Sequence, residues 1–144
     1  RLEYIGELAS GVRVYDDYAH HPTAIKKTLN AIHKQFPKKK IICIFQPQTY
    51  SRTKKLFNEF LYAFNDADTV VLTDIYASAR EPFDPTITSK ILSDAMQQHH
   101  KEVILQPKLE DVINYINQKR FRSDTILVTM GAGDIYKIRN SILS

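Results

Sequence analysis

Polar and charged residues gather in four short stretches of the chain, and each stretch directly follows an apolar run. The stretches are residues 16–22 (DDYAHHP), 46–52 (QPQTYSR), 74–81 (DIYASARE) and 131–134 (GAGD). Side chains of these types can contact a nucleotide or hold a carboxylate or phosphate. In open α/β sheets ligands bind outside the carboxyl ends of the strands. Because all four stretches follow predicted strands, the sequence predicts that they converge on one site.

Arg52 stands beside a predicted helix start, for which Ser51 is the predicted N-cap. The helix dipole repels a cation at that end, so the position is unusual for a purely structural arginine. Beside a carboxylate or phosphate the same position becomes favourable, because guanidinium and backbone amide groups then converge on one anion. Arg52 is therefore a candidate ligand for an anionic substrate group.

The 16–22 stretch is predicted to contact a ligand without holding a metal. His20 and His21 are adjacent, and no Cys or further His lies at metal-ligand spacing. This pair is expected to position the loop or to contact a nucleotide. Asp16 and Asp17 precede a predicted helix, where a carboxylate offsets the dipole. They are interpreted either as helix caps or as ligand contacts, and one role does not exclude the other.

The glycines exclude one way of binding ATP. Gly131 and Gly133 resemble part of a dinucleotide fingerprint, but the third glycine is missing, and a tight turn between strand and helix is the favoured interpretation. The remaining glycines, Gly6 and Gly11, do not precede the Lys-Ser/Thr pair of a phosphate-binding P-loop. If the chain binds ATP, it does not bind the triphosphate with a P-loop.

Short apolar runs alternate with segments whose apolar residues recur at helical spacing. The predicted strands cover residues 2–8, 12–16, 41–45, 69–73, 103–105 and 125–129. Helices are predicted to start at Pro22, Ser51, Thr88 and Leu109 and after Asp134, with a loop over residues 74–87; the helix from Ser51 carries Leu56, Phe60 (or Leu61) and Phe64 on its apolar face. This order predicts an α/β fold: a Rossmann-like open, mostly parallel sheet with helices on both faces and an antiparallel strand pair at the amino-terminal end.

Composition predicts one domain over residues 1–144, because the length suits a single hydrophobic core and the 43% hydrophobic content is ordinary. The net charge of +4 is mild, and residues 38–40 are the only run of three basic residues, so no nucleic-acid partner is expected. The single cysteine, Cys43, is predicted to be a buried strand residue in a cytoplasmic protein. No apolar run reaches the ~20 residues of a membrane span. The chain does not begin with Met, so it is expected to be part of a longer protein.

Together the stretches resemble the carboxy-terminal domain of the Mur ligases. The matching motifs are DDYAHHPT at residues 16–23, FQP-x-TYSRT at 45–53 with x at position 48, DIYASARE at 74–81 and GAGDI at 131–135, and the opening RLEY resembles the segment that begins this domain. The resemblance covers essentially the whole chain. It implies an ATP-dependent ligase that joins L-alanine to UDP-N-acetylmuramate through an acyl phosphate, in peptidoglycan precursor synthesis.

The resemblance also implies which residues contact which substrate. Arg1 and Asp17 match positions that contact the ATP nucleoside, with Tyr18 and His20 nearby. On the substrate side, Arg52 matches an arginine that holds a carboxylate of the amino acid or product, with Gln48 and Thr49 beside it. Position 48 usually carries His in this family, so Gln48 keeps a hydrogen bond but cannot carry charge. The resemblance implies no catalytic residue and no metal ligand in this domain; the P-loop and the Mg²⁺ sites belong to a central domain, which together with an amino-terminal UDP-sugar domain completes the enzyme.

Two alternatives stay open. Within the family, a recycling ligase adds a preformed peptide to the same UDP-sugar. From a different class, a non-catalytic Rossmann-type domain could bind a nucleotide only. A P-loop upstream of Arg1 would indicate a ligase, and a substrate assay would separate alanine from peptide.

Overall fold

The sheet has six strands, and all but one of its strand pairs are parallel. A computed structural model describes residues 1–100 and 102–143 of the chain. The strands are β1 (Glu3–Glu7), β2 (Arg13–Asp17), β3 (Lys40–Phe45), β4 (Thr69–Leu72), β5 (Val103–Leu105) and β6 (Thr125–Met130). Their spatial order is β1-β2-β6-β3-β4-β5, and only β1 and β2 pair antiparallel. The predicted Rossmann-like sheet with its antiparallel amino-terminal pair is confirmed.

Helices cover both faces of this sheet, as predicted. They are α1 (Pro22–Gln35), α2 (Tyr50–Lys55), α3 (Phe57–Leu61), α4 (Ser89–Met96), α5 (Leu109–Gln118), a 3-10 helix (Ile135–Ile138) and α6 (Arg139–Ile142). Side chains from α1, α3 and α4 form one apolar core, and those from α5, the 3-10 helix and α6 form a second. Strand β3 contributes to both cores because successive side chains of a strand point to opposite faces: Cys43 lies in the first core and Ile42 in the second.

Cys43 is a fully buried residue of β3, as predicted from its apolar surroundings. Burial, and to a smaller degree the nearby negative charge of Asp17, raises the pKa of this thiol. A thiol that stays protonated is a poor nucleophile. Cys43 is therefore a packing residue of the core.

Two helical segments differ from their prediction. The helix expected from Ser51 starts at Tyr50, is capped by Thr49, and breaks at Leu56 into α2 and α3. The helix expected after Asp134 begins as a 3-10 helix, Ile135–Ile138, and only then becomes α6. A 3-10 turn aligns residues three apart, which buries both Ile135 and Ile138. In the described ranges, no helix combines the length and the apolar character needed to cross a membrane.

Candidate functional site

The four polar stretches follow β2, β6, β3 and β4, which are adjacent in the sheet. Backbone hydrogen bonds connect these stretches where the strands end. The Gly131 N–H donates to the Asp17 carbonyl at 3.2 Å, and the Gln46 N–H donates to the Met130 carbonyl at 3.0 Å. The Tyr76 N–H donates to the Pro47 carbonyl at 2.8 Å. The four stretches therefore lie side by side at the carboxyl ends of adjacent strands, and their convergence on one binding site stays a prediction.

A cavity of about 500 Å³ lies between the 16–22 stretch, the start of the chain and one face of α1. It is lined by all four residues predicted to contact a nucleoside: Arg1, Asp17, Tyr18 and His20. Lys27 and Thr28 of α1, which the sequence did not predict, also line it. Tyr18 is 63% exposed, and its ring meets the His20 ring edge-on at 5.7 Å between centroids. The cavity therefore combines an aromatic wall with a buried carboxylate.

Asp17 is the buried carboxylate of this cavity. Its Oδ1 accepts a hydrogen bond from the Ala19 N–H at 2.7 Å, and its Oδ2 accepts one from the Thr28 hydroxyl at 3.1 Å. The Arg1 backbone nitrogen lies 3.6 Å from Oδ1. Two carboxylate oxygens offer about four acceptor sites, so Asp17 retains acceptor capacity toward the cavity. Asp17 does not cap α1: the N-cap is His21, whose Nδ1 accepts from the Thr23 N–H at 3.2 Å.

Asp16 has a different environment from Asp17, because neighbouring residues of β2 face opposite sides of the sheet. Asp16 accepts from the Thr129 hydroxyl at 2.5 Å and from the Arg139 guanidinium at 3.4 Å. Desolvation raises the pKa of the Asp16 carboxyl, although Thr129 and Arg139 oppose the rise. Asp16 thus connects β2 to β6 and α6, and of the two roles that the sequence left open for it, the structure excludes helix capping.

A second polar cluster, Gln48, Thr49 and Arg52, contains the residues predicted to bind the substrate. The Arg52 Nη1 lies 3.5 Å from the Gln48 Oε1, and the Arg52 N–H donates to the Thr49 hydroxyl oxygen at 3.2 Å. Within residues 1–100 and 102–143, no carboxylate oxygen comes within 4.0 Å of the Arg52 guanidinium. Arg52 is half-buried as a residue, and in the described residues its guanidinium has no anionic partner that would compete with a ligand.

Gly131 and Gly133 form a tight turn around the buried side chain of Gln46. The Gln46 Nε2 donates to Asp134 Oδ1 at 2.7 Å, and its Oε1 accepts from the Ile135 N–H at 3.0 Å. A Cβ on Gly133 would lie 2.5 Å from that Oε1. These contacts support the tight-turn interpretation of the two glycines.

Gly131→Ala is expected to destabilise the 144-residue chain more than Gly11→Ala does. Both glycines have positive φ, 142° and 88°, but a Cβ on Gly131 would lie 2.8 Å from the Gln46 backbone oxygen, whereas one on Gly11 finds only Ser123 at 3.9 Å. Backbone strain and overlap together should cost roughly 2–4 kcal/mol at Gly131. Urea unfolding of the two variants measures the difference, and equal losses would contradict this interpretation.

Glu81 makes contacts with the segment that carries Arg52, and the sequence did not predict them. Its carboxylate accepts from the backbone N–H groups of Tyr50 and Ser51 at 2.7 and 2.9 Å. Partners that are backbone groups 30 or more residues away leave no signature in residue type or spacing. Thr28, the hydroxyl partner of Asp17, was also missed, because this side-chain contact joins α1 to the end of β2 and follows no periodic spacing along the chain. Arg80 is exposed, and only its backbone N–H makes a hydrogen bond in the described part of the chain, to the Ser78 hydroxyl at 3.3 Å.

No group of three His, Cys, Asp or Glu residues that could hold a metal ion occurs in residues 1–100 and 102–143. Asp74 lies two residues after β4, at the start of the 74–81 stretch. Partial burial raises the pKa of Asp74, opposed by the charge of Lys108. At the carboxyl ends of the strands the described residues thus provide two separate features: a cavity with the Asp17 carboxylate as hydrogen-bond acceptor, and the guanidinium of Arg52.

The fold is that of the α/β domains whose ligands bind at the carboxyl ends of the strands, and comparisons with known proteins give the family of this chain. Residues 1–133 match the family model described as "Mur ligase, glutamate ligase domain". The UDP-N-acetylmuramate–L-alanine ligase of Clostridium acetobutylicum is 47% identical over 144 residues, which is 100% of this chain and 31% of that protein. The chain spans 28–31% of the length of the curated relatives it matches.

Solved structures of Mur-type ligases are also similar to the chain. The UDP-N-acetylmuramate-alanine ligase of Thermotoga maritima has a TM-score of 0.73 at 25% identity, over 96% of this chain and 28% of that one. A murein peptide ligase of Psychrobacter arcticus has a TM-score of 0.72 at 21% identity, over 97% of this chain and 28% of that one, which shows the fold alone. The chain belongs to the Mur ligase family.

Proposed function

We propose that the chain is the carboxy-terminal domain of an ATP-dependent ligase that joins L-alanine to UDP-N-acetylmuramate. One observation carries the proposal: the edge of the sheet holds both a cavity lined by Arg1, Asp17, Tyr18 and His20 and a guanidinium, that of Arg52, with no carboxylate partner in the described residues. The relatives that are 41–48% identical are named UDP-N-acetylmuramate–L-alanine ligases. These names favour alanine over a preformed peptide as the added group.

The cavity suits the nucleoside part of ATP. Its volume of about 500 Å³ falls within the range of roughly 300–1,000 Å³ that is usual for small-molecule pockets. The free lone pairs of Asp17 can accept hydrogen bonds from ribose hydroxyls or a base amine, and the exposed Tyr18 ring offers an apolar surface to a base. The cavity supplies contacts for a nucleoside and no group of carboxylates for a cation, in the described ranges. Mg²⁺ and the triphosphate are therefore assigned to residues of a central domain.

Arg52 suits the carboxylate of L-alanine or of the product. A guanidinium can donate two parallel hydrogen bonds to one carboxylate, which fixes both position and orientation. The Gln48 Oε1 lies 3.5 Å from the Arg52 guanidinium and adds no charge beside it. Thr49 supports the same segment through its hydroxyl oxygen. The three residues together form the proposed amino-acid side of the site.

The proposed reaction uses these groups for binding and orientation. ATP transfers its γ-phosphoryl group to the lactyl carboxylate of UDP-N-acetylmuramate and leaves as ADP. The amine of L-alanine then attacks the carbonyl carbon of the acyl phosphate, inorganic phosphate leaves, and the nitrogen loses a proton to give the amide. The role of this domain is to close over the central domain with nucleoside and amino acid held in place. Closure excludes water from the acyl phosphate, which water would otherwise hydrolyse. A cytoplasmic location is consistent with the free thiol of Cys43.

The full-length ligase is expected to release phosphate from ATP only when UDP-N-acetylmuramate and L-alanine are both present. The 144-residue chain alone is expected to release none, because the described residues contain neither a P-loop nor a cluster of carboxylates for Mg²⁺. A phosphate-release assay on both proteins with the same substrates measures this. Release by the isolated chain well above a buffer blank would contradict the proposal.

A further inference from the structure

Glu81 reaches from the 74–87 loop to the segment that carries Arg52. Its Oε1 accepts from the Tyr50 N–H at 2.7 Å and its Oε2 from the Ser51 N–H at 2.9 Å. These N–H groups belong to the first turn of α2 and have no acceptor within the helix. The third N–H of that turn, of Arg52, donates to the Thr49 hydroxyl oxygen. Glu81 and Thr49 together satisfy the turn from which the Arg52 side chain projects.

The backbone of this segment needs external support. Thr49 has φ 62° and ψ 142°, and it is the only non-glycine residue with positive φ in the described part of the chain. Such a conformation is strained for a β-branched residue and persists only where surrounding contacts fix it. The Thr49 N–H donates to the Tyr76 carbonyl at 2.9 Å, and the Thr49 carbonyl accepts from the Thr53 hydroxyl at 2.7 Å. Glu81 fixes the two residues that follow.

The charge of Glu81 strengthens this support. Desolvation alone would raise the pKa of the Glu81 carboxyl, but hydrogen bonds from Ser51 and Tyr50 outweigh it and lower the pKa below its ordinary value. Glu81 is therefore ionised at neutral pH. Hydrogen bonds to a charged acceptor are roughly twice as strong as neutral ones.

The guanidinium of Arg52 depends on this backbone for its position. Its one side-chain partner in the described residues is Gln48, at 3.5 Å, which is the outer limit of a hydrogen bond. A side chain held so weakly points where its backbone and rotamer direct it. Displacing the first turn of α2 would therefore displace the proposed carboxylate ligand.

We propose that Glu81 is a positioning residue for the amino-acid carboxylate: it clamps the Tyr50–Ser51 backbone so that Arg52 presents its guanidinium in the binding geometry. This inference rests on the proposed role of Arg52. Glu81 itself does not touch the substrate and acts through Arg52. The loop that contributes Glu81 thereby becomes part of the amino-acid side of the site.

Glu81→Gln in the full-length ligase tests this proposal. Glutamine offers one acceptor oxygen, and its NH₂ group would face a backbone N–H. The KM for L-alanine is expected to rise about three- to tenfold, from the loss of one charged hydrogen bond and the weakening of another. The KM for ATP should stay unchanged, because the nucleoside cavity is built from the 16–22 stretch and α1. Glu81→Asp keeps the charge on a shorter side chain and should restore part of the affinity for alanine.

Asp84→Asn is the matched control. Asp84 lies in the same loop and its pKa is also lowered, but its carboxylate accepts from Thr86 and lies 3.5 Å from Lys54 instead of bonding the α2 backbone. Its KM for L-alanine should match wild type. If Glu81→Gln behaves like Asp84→Asn, or raises both KM values together with a lower Tm, the proposal is overturned.

Hydrogen exchange of the backbone amides tests the role of Glu81 whether or not L-alanine is the substrate of the ligase. In the full-length protein, the peptide that contains Tyr50 and Ser51 should exchange faster in Glu81→Gln than in wild type and in Asp84→Asn. Unchanged exchange would overturn the role of Glu81 even if alanine ligation is observed. A wild-type enzyme that forms no alanine product would instead contradict the proposed function, and faster exchange in Glu81→Gln would still support the clamp.

Discussion

Arg52→Lys in the full-length ligase is expected to lower kcat/KM for L-alanine or UDP-N-acetylmuramate by about tenfold or more, equivalent to roughly 1.4 kcal/mol. Lysine keeps the positive charge but cannot reproduce the two parallel hydrogen bonds that a guanidinium donates to a carboxylate. The structure leaves the Arg52 fork with Gln48 as its sole side-chain partner in the described residues, so little competes with a substrate carboxylate. Steady-state kinetics with each substrate varied in turn measures the loss.

Two further measurements separate this role from a structural one. ATP binding by the free enzyme and the Tm should both stay near wild type in Arg52→Lys. Arg122→Lys is the control, since Arg122 is exposed and precedes β6, at the amino-terminal end of the parallel strands and away from the site. A surface substitution of that kind seldom changes the free energy of unfolding by more than about 0.5 kcal/mol. Wild-type turnover in Arg52→Lys would remove Arg52 from the site.

Asp17→Ala is expected to raise the KM for ATP about ten- to hundredfold, because the loss of a hydrogen bond to a charged group costs roughly 1.5–3 kcal/mol. The effect on the KM for L-alanine should be smaller. The buried position of Asp17 adds a second expected result: the Ala19 N–H and the Thr28 hydroxyl lose their acceptor, so the Tm should fall as well. Kinetics and thermal unfolding of the same preparation measure both.

Asp16→Ala is the control for Asp17→Ala. This substitution also removes a carboxylate of β2 and its hydrogen bonds. Their partners, Thr129 and Arg139, do not line the cavity. Its Tm is therefore free to change while its KM for ATP should stay at the wild-type value. A lowered Tm with an unchanged KM for ATP in Asp17→Ala as well would mean that Asp17 only holds the loop together.

Apolar runs predicted the strands well because the sheet is covered on both faces. In β3 every residue from Ile41 to Phe45 is buried, so the strand reads as a continuous apolar run. The polar stretches could be placed at one edge of the sheet because parallel strands all end there. Fold and loop placement thus follow from patterns of residue type along the chain.

Backbone conformation was harder to predict. Ser51 was the expected cap of α2, but Thr49 caps it because a positive φ places the Thr49 hydroxyl oxygen against the Arg52 N–H. A β-branched residue gives no sequence signal for that conformation. The helix also breaks at Leu56, with φ −103° and ψ 19°. No glycine or proline lies at this position, so the sequence did not predict the break.

Long-range partners could not be predicted at all. The sequence left open whether Asp16 and Asp17 cap a helix or contact a ligand, and neither caps α1. The answer depends on groups far along the chain, the Thr129 hydroxyl for Asp16 and the Thr28 hydroxyl for Asp17. The same holds for Glu81, whose partners are backbone N–H groups. Residue spacing encodes periodicity along one element, whereas these contacts join different elements.

The central claim is that the full-length protein adds L-alanine to UDP-N-acetylmuramate. The most direct test supplies the full-length enzyme with ATP, Mg²⁺, UDP-N-acetylmuramate and equal concentrations of L-alanine and a preformed peptide that begins with L-alanine, and identifies the products by mass spectrometry. The expected product is UDP-N-acetylmuramoyl-L-alanine, formed with one phosphate released per amide bond. A product that carries the intact peptide, or no amide product from a folded enzyme, would contradict the claim.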